Sequence, residues 1–184
     1  MNINEFLKNE TASLHLQVEN YFESKQIFDK SFSKSQYIKL LIGNYKLIAA
    51  IEELAYDLLD ENLIIELEKS QRLKKRVLEK EIESLDLSVQ DIEVPRIILK
   101  NKFEALGALY TIEGSTLGGN VIVKQLAKNE NFANHQFLYF GMYKDLIAER
   151  WKSFLQILQK ECSSDEVFSE VLAGTTKAYQ VMLN

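Results

Sequence analysis

Hydrophobic positions recur at helical spacing through almost all of the chain. In residues 34–59 an apolar side chain falls every three or four positions, the period of a helix with one buried face. The Ser-rich run SFSKS at its start offers a hydroxyl to cap the first turn. The pattern predicts a long helix over residues 34–59 that packs its apolar face on a core.

The same periodicity predicts helices in the other segments. A first helix is expected over residues 3–24, and a helix rich in Glu and Lys over 61–84 is expected to face solvent. The run SLDLSVQDIEVP predicts the one clear loop, which leads into a long helix over 96–127. Two further amphipathic helices are expected over 143–160 and 165–182.

Few residues in this sequence stop a helix. Pro95 is the only proline and there are seven glycines, so we predict an all-α fold. With 184 residues, of which 46% are hydrophobic, the chain is long enough for one sizeable core and short for two. We therefore expect a single domain over residues 1–184, as a monomer or at most a weak dimer.

Composition and charge exclude several classes of protein. The net charge is −5 and the isoelectric point is about 5.2, so no basic surface for nucleic acid is expected. The start, MNINEFLKNETASLH, lacks the positive charge of a signal peptide, and no run approaches ~18 apolar residues. We expect a soluble, cytoplasmic protein without a membrane partner, in which the single cysteine, Cys162, is a buried or incidental thiol.

Only two histidines are available for chemistry. His135 lies in the irregular polar run NENFANHQF, where we expect a solvated loop residue. His15 lies on the predicted first helix, and Lys8, Thr11 and Glu19 fall within about 40° of it around the helix axis. His15 is either a packing residue at the edge of the apolar stripe or a ligand whose second nitrogen donates to Glu19.

Three glycines, Gly114, Gly118 and Gly119, fall within six positions of the predicted helix over 96–127. Each costs a helix about 1 kcal/mol relative to alanine, so their presence needs a reason. Close approach of another helix and a helix break are two simple reasons. The helix-forming flanks LGALYTIEG and NVIVKQLAK favour a third, a kinked helix with a bare face. Opposite a helix that carries a histidine, such a face would frame a slot for a planar, mostly apolar ligand with a central metal.

Two motifs about a hundred residues apart resemble the haem oxygenase family. The run LKNETASLHLQVENYF is similar to the family's proximal helix, with its L-[KR]-x-x-T-x-x-x-H pattern, and EGSTLGGNVI resembles the distal helix of the bacterial, biliverdin-producing branch. The later pattern of Trp151, Phe154 and Leu158 also fits the bacterial members. The resemblance implies a helical bundle with haem between a proximal and a kinked distal helix.

The resemblance also implies roles for residues on the proximal side. His15 matches the axial ligand, which binds iron as a neutral imidazole, and Glu19 matches the residue near its other nitrogen. Lys8 matches a basic residue that pairs with a haem propionate. Thr11 is the threonine of the pattern and is assigned to the same binding surface.

On the distal side, Gly114, Gly118 and Gly119 match glycines whose missing side chains let iron-bound oxygen lie against the porphyrin edge. Mammalian-type members have an aspartate after the first of these glycines, where this chain has Ser115, so another group is expected to hold the distal water. Further cations either contact a propionate or lie in solvent, namely Lys124, Arg150 and Lys152. Three aromatic residues either line the pocket or pack in the core, namely Phe22, Phe103 and Tyr110.

The reaction implied by the resemblance is oxidative cleavage of haem to biliverdin, with release of ferrous iron and carbon monoxide. It uses O2 and electrons from a ferredoxin, flavodoxin or reductase. A haem carrier or sensor would use the same His15 without turnover. A di-iron oxygenase needs Glu-x-x-His, which does not occur here, and a thiaminase-like protein needs a reactive cysteine, for which Cys162 is a poor candidate. A purely structural bundle would bind no haem.

Overall fold

The structure is a computed structural model that describes residues 2–162 and 164–184. Its helices, in chain order, are α1 (Ile3–Glu10), α2 (Ala12–Tyr21), α3 (Lys34–Asp57), α4 (Glu61–Glu66), α5 (Lys69–Arg72), α6 (Lys75–Glu83), α7 (Lys102–Leu117), α8 (Gly119–Leu126), α9 (Ile147–Glu161) and α10 (Asp165–Leu183). No β-strand forms in the described residues, so the predicted all-α fold is confirmed.

Polar side chains fix where the longer helices begin. Ser33 forms a capping box with Gln36 at the start of α3, as the SFSKS run predicts. Asn101 accepts hydrogen bonds of 3.0 Å from the backbone N–H groups of Phe103 and Glu104, and so starts α7. These caps satisfy N–H groups that the first turn of a helix leaves unpaired.

Helix α7 lies at the centre of the fold. It packs against α3, α9 and α10, and every residue from Glu104 to Glu113 is buried. A helix that is covered on several sides needs no single apolar face. The glycine-bearing segment therefore extends from a firmly packed helix.

Helices α7 and α10 approach each other through two glycines. A side chain at Gly107 would overlap the carbonyl oxygen of Val171, and one at Gly174 would overlap the carbonyl oxygen of Glu104. The hydroxyl of Thr175 donates to the Gly107 carbonyl across the same contact, at 2.9 Å. Bare backbone therefore sets the distance between these two helices.

The segment over residues 61–84 is not the solvent-facing helix that its composition predicts. It forms the three short helices α4, α5 and α6, and Glu68, at φ 53°, separates α4 from α5. Arg72, Lys74 and Glu81 are buried. The prediction was wrong because the segment bonds to carboxylates of α3 and α7 inside the fold, which compensates for the burial of its charges.

Other helix boundaries also differ from those predicted. Thr11, with φ −102° and ψ 4°, separates α1 from α2 within the helix expected over 3–24. The helix expected from residue 96 begins at Lys102, since residues 93–100 form no regular structure. Gly118 alone separates α7 from α8, at the position where the sequence predicts a kink in one continuous helix.

In the described part of the chain, none of the helices combines the length and the apolar character that crossing a bilayer requires. Cys162 is fully buried, and burial raises the pKa of its thiol to about 12. A thiol of this kind is unreactive at neutral pH, as expected for a buried cysteine.

Candidate functional site

His15 lies on the surface of α2. Its side chain is 60% exposed, and Nδ1 lies 3.5 Å from Oε1 of Glu19, one turn later. The imidazole meets the phenol ring of Tyr179 edge to face, with 6.4 Å between ring centroids. Nε2 has no hydrogen-bond partner among residues 2–162 and 164–184, so it is free to bind a ligand. This exposure rules out the interpretation of His15 as a packing residue.

Helix α2 contains no buried residue over its ten positions. Most helices in folded proteins are stabilised by burying an apolar face, whereas α2 only half-buries Val18 against the core. Large side chains on it also remain exposed, with Leu16 at 49% and Tyr21 at 41%. Such a surface is typical of a helix that another molecule covers.

Lys8 is exposed and Thr11 is buried, although both belong to the polar strip predicted around His15. Lys8 is exposed at the end of α1. Thr11 is buried, and its hydroxyl donates to the carbonyl of Leu7 at 2.7 Å. The assignment of Thr11 to a ligand-facing surface is therefore wrong, because its one hydroxyl hydrogen is used inside the helix.

Gly114 and Gly118 leave open space on the glycine-bearing helices. The atom nearest to a side chain at Gly114 is a ring carbon of Trp151, 3.8 Å away, and at Gly118 it is a methyl of Ile122, 3.9 Å away. Large apolar side chains beside them are exposed, namely Leu117 and Val121. Bare backbone flanked by exposed apolar groups suits a flat, apolar ligand.

Gly119 differs from the other two glycines. A side chain at Gly119 would overlap the carbonyl oxygen of Phe140, which crosses directly over it. The distal role that the resemblance implies for Gly119 is therefore not supported by its packing. Its missing side chain makes room for the polypeptide, not for a ligand.

A tyrosine connects the glycine-bearing helix to α1. Tyr110 lies one turn before Gly114, and its hydroxyl donates to Oδ1 of Asn4 at 3.2 Å. Burial, with a smaller contribution from Tyr179, raises the pKa of Tyr110 to about 12, so its hydroxyl stays neutral. Tyr110 and Phe22 are both buried in the protein; whether either also lines a ligand pocket stays a prediction.

Ser115 bonds into the interior of the protein. Its Oγ donates to the carbonyl of Ile112 at 2.8 Å and lies 2.7 Å from the hydroxyl of Tyr139. Tyr139 in turn donates to Oδ1 of Asn44 in α3, at 3.1 Å. Ser115 thus ties the end of α7 to α3, and Tyr139 and Asn44 are the polar groups nearest to it along this path.

The prediction of a solvated His135 is wrong. Its side chain is only 11% exposed, and Nε2 lies 2.8 Å from Oε1 of the buried Glu81. Glu81 also accepts hydrogen bonds from the hydroxyl of Tyr37, at 2.6 Å, and from the N–H of Tyr139, at 2.7 Å. The polar run around His135 suggested solvent, whereas a buried carboxylate distant in sequence holds it to the core.

The cations proposed for propionate contacts differ from one another in their exposure to solvent. Arg150 is only 12% exposed; its guanidinium donates to Gln71 and lies 5.2 Å from the ring of Tyr143. Lys124 and Lys152 are exposed. Arg150 is thus not a solvated cation, and contact of any of the three with a propionate stays a prediction.

Sequence reasoning missed a group of buried charges around Glu113, the residue before Gly114. Arg72 and Lys74 both bond to its carboxylate inside the fold. One signal was present: Glu113 is a lone acid in the apolar run LGALYTIEG, where an unpaired charge would be costly. The cations that pair with it could not be identified, because they lie about forty positions away among many similar residues.

No group of three or more His, Cys, Asp or Glu in residues 2–162 and 164–184 is arranged to hold a metal ion. A di-iron centre therefore has no ligand set there. His15 offers a single free nitrogen, which suits a metal whose other positions are filled by a planar macrocycle. The exposed imidazole and the bare glycines are the features that the sequence predicts for a haem site.

Comparison with known proteins identifies the family of this chain. The family model described as heme oxygenase matches residues 1–184. The chain belongs to the haem oxygenase family. A curated heme oxygenase from Xanthomonas campestris is 35% identical over 68 residues, a match that spans 37% of this chain and 41% of that protein.

Solved bacterial structures share the fold. Heme oxygenase from Neisseria meningitidis, in crystal structures bound to NO and CO, gives a TM-score of 0.77 at 23% identity, over 100% of this chain and 89% of that one. Heme oxygenase from Leptospira interrogans gives 0.74 at 16%, over 99% and 97%. Heme oxygenase-1 of the cyanobacterium Synechocystis, in complex with heme, gives 0.73 at 18%, over 100% and 90%. The all-helical architecture is therefore that of haem oxygenases.

Proposed function

We propose that this protein is a haem oxygenase that cleaves haem to biliverdin and releases ferrous iron and carbon monoxide. O2 is the oxidant, and a ferredoxin- or flavodoxin-type protein or a reductase supplies the electrons. The observation that carries the proposal is helix α2, which exposes His15 and buries none of its residues. We further propose that the protein acts as a cytoplasmic monomer without a membrane or nucleic-acid partner.

On the proximal side, His15 binds the haem iron through Nε2. Glu19 lies 3.5 Å from Nδ1, so a short movement of either side chain gives a hydrogen bond that holds the tautomer with Nε2 unprotonated. Lys8, exposed at the end of α1, offers its ammonium group to a propionate at the haem edge. Each proximal residue therefore either ligates or orients the substrate.

On the distal side, Gly114 and Gly118 keep side chains away from the face of the haem. The space that they leave would give O2 access to the edge of a haem held there, and the haem would supply the oxidative chemistry. Ser115 does not replace the aspartate of mammalian-type members, since its hydroxyl bonds to Ile112 and lies against Tyr139. Backbone carbonyls of the glycine-bearing segment, or another side chain, would then hold an ordered water.

The test is an absorption spectrum of the protein loaded with one equivalent of ferric haem, followed after ascorbate is added in air with catalase present. Loss of the Soret band with growth of a broad red biliverdin band is expected. A stable Soret band, also with a ferredoxin and its reductase as donor, would identify a haem carrier instead. Absence of a stoichiometric haem complex would refute the proposed function.

His15→Ala tests the ligand assignment. Because the imidazole is 60% exposed, its loss is expected to leave stability nearly unchanged, within about 0.5 kcal/mol, and to abolish biliverdin formation. Added imidazole should restore part of the turnover. Retained turnover in folded His15→Ala without imidazole would refute the assignment.

A further inference from the structure

A group of buried polar side chains lies beside the glycine-bearing helix; the Glu113 cluster consists of Arg72, Lys74, Glu113 and Tyr143. Arg72 Nη1 donates to Oε2 of Glu113 at 2.7 Å, and Lys74 Nζ donates to Oε1. Lys74 also donates to the hydroxyl of Tyr143 at 2.8 Å, and that hydroxyl lies 3.2 Å from Oε1 of Glu113. Both carboxylate oxygens are thus held by neighbouring donors.

The cluster is closed to solvent. The side chains of Lys74, Arg72 and Glu113 are 0%, 1% and 3% exposed. Buried ion pairs of this kind add little net stability compared with apolar residues of the same shape, but they tolerate only a narrow geometry. Their presence therefore indicates a requirement for position more than for stability.

The cluster holds the chain next to both Gly114 and Trp151, which border the open space at Gly114. Glu113 directly precedes Gly114 in α7. Arg72 Nη2 donates to the carbonyl of Arg150 at 3.2 Å, and Arg150 directly precedes Trp151. The Trp151 ring is the group nearest to a side chain at Gly114, at 3.8 Å. A single buried guanidinium thus ties both walls of this space together.

We propose that the Glu113 cluster positions Gly114 and Trp151 relative to each other and so sets the shape of the space above the bound haem. The inference rests on the proposed function. The four residues are positioning residues, because they are buried behind the walls that they hold. Small displacements matter here, since misplacing reacting groups by 1 Å can cost about a hundredfold in rate.

The experiment compares two cluster variants with a control that removes a charged partner from the other end of α7. Lys74→Met removes a donor to Glu113 and keeps the buried volume, and Tyr143→Phe removes only a hydroxyl. The control is Lys177→Met, which removes the partner of Glu104, 2.6 Å away. Glu104 is ten residues before Gly114, roughly 15 Å along the helix.

Trp151 is the only tryptophan, so its fluorescence reports the wall position in the haem-free protein. Both cluster variants are expected to shift its emission and to increase its quenching by acrylamide. In the haem-loaded protein, they are expected to shift the C–O stretching band of the ferrous CO complex and to lower turnover about tenfold to a hundredfold. Lys177→Met should match the wild type in all four.

Wild-type fluorescence, C–O band and turnover in folded cluster variants would overturn the inference. Where Lys74→Met does not fold, Tyr143→Phe decides, because it leaves the ion pairs in place. The two proposals fail in different ways. If the wild type binds no haem, the proposed function fails, together with the haem-related part of the inference. The fluorescence of the haem-free variants still shows whether the cluster holds Trp151.

Discussion

The two halves of α7 use glycine for opposite purposes. In the first half, Gly107 meets the backbone of α10, and a side chain there would overlap the carbonyl of Val171. In the second half, a side chain at Gly114, or at Gly118 just after the helix, would meet nothing closer than 3.8 Å. The space left by the missing side chain is filled by protein in the first region and stays open in the second.

This difference separates stability from function along one helix. None of the glycines has a positive φ, so backbone strain does not explain their presence. Gly107 is required by the packing of the fold. Gly114 and Gly118 lower helix stability without any packing benefit in the protein alone, and a bound ligand is the benefit that remains. Glycines that stability does not require mark the candidate site.

Of the variants that test this comparison of glycines, Gly107→Ala is expected to change stability the most. The added methyl overlaps the backbone of α10, and backbone cannot move aside as a flexible side chain does. We expect a loss of about 3 kcal/mol or more in the free energy of unfolding, measured by urea denaturation. Gly114→Ala is the matched control, since its methyl meets only the Trp151 ring at 3.8 Å. Equal losses in the two variants would remove the distinction between the halves of the helix.

Gly118→Leu is expected to separate turnover from stability. The side chain enters open space, so the haem-free protein should fold normally, while biliverdin formation is lost and haem binding is affected less. Gly118→Ala is the milder partner. At φ −77° and ψ −2°, alanine adopts this conformation without strain and should raise the unfolding free energy by about 0.4–1 kcal/mol. Wild-type turnover in Gly118→Leu would contradict the distal role of this face.

Much of the fold follows from the sequence because it depends on local pattern. The helix over residues 34–59 was predicted with its cap, since periodicity and a Ser-x-x-Gln box are both local signals. The burial of the segment over 61–84 was not predicted, because its charges are neutralised by residues far along the chain. Gly107 and Gly174 were also missed: a glycine in a helix shows that space is needed, but not which helix fills it.

The candidate site was predictable in part for the same reason. His15 and Glu19 are one turn apart on one helix, and the structure places them together at the surface. Gly119 and Thr11 belong to the same motifs, yet one packs under Phe140 and the other bonds inside its helix. Motif spacing fixes which face of a helix a residue occupies, but the neighbouring elements decide what that face meets.

The smallest effect on stability is expected from the ion pair between Glu104, in the first half of α7, and Lys177. Burial alone would raise the pKa of Glu104, but hydrogen bonds from Lys177 and the Lys100 N–H outweigh it and lower the pKa below its usual value. A lowered folded-state pKa stabilises the protein above the unfolded pKa of about 4.3, and the stabilisation is lost as pH falls through the folded value.

Lys177→Met should therefore lower the unfolding free energy by about 1 kcal/mol or less at neutral pH, since Lys177 is partly exposed and the pair is screened. The difference from wild type should shrink below about pH 4 and in high salt, with turnover unchanged throughout. A difference that stays constant down to pH 2 would show that packing of the Lys177 stem, not its charge, supports this half of the helix.

The distinction between charge and packing matters because Gly174, which contacts the Glu104 carbonyl, lies one turn from Lys177. A charge effect would add an electrostatic component to an interface that otherwise depends on close backbone packing.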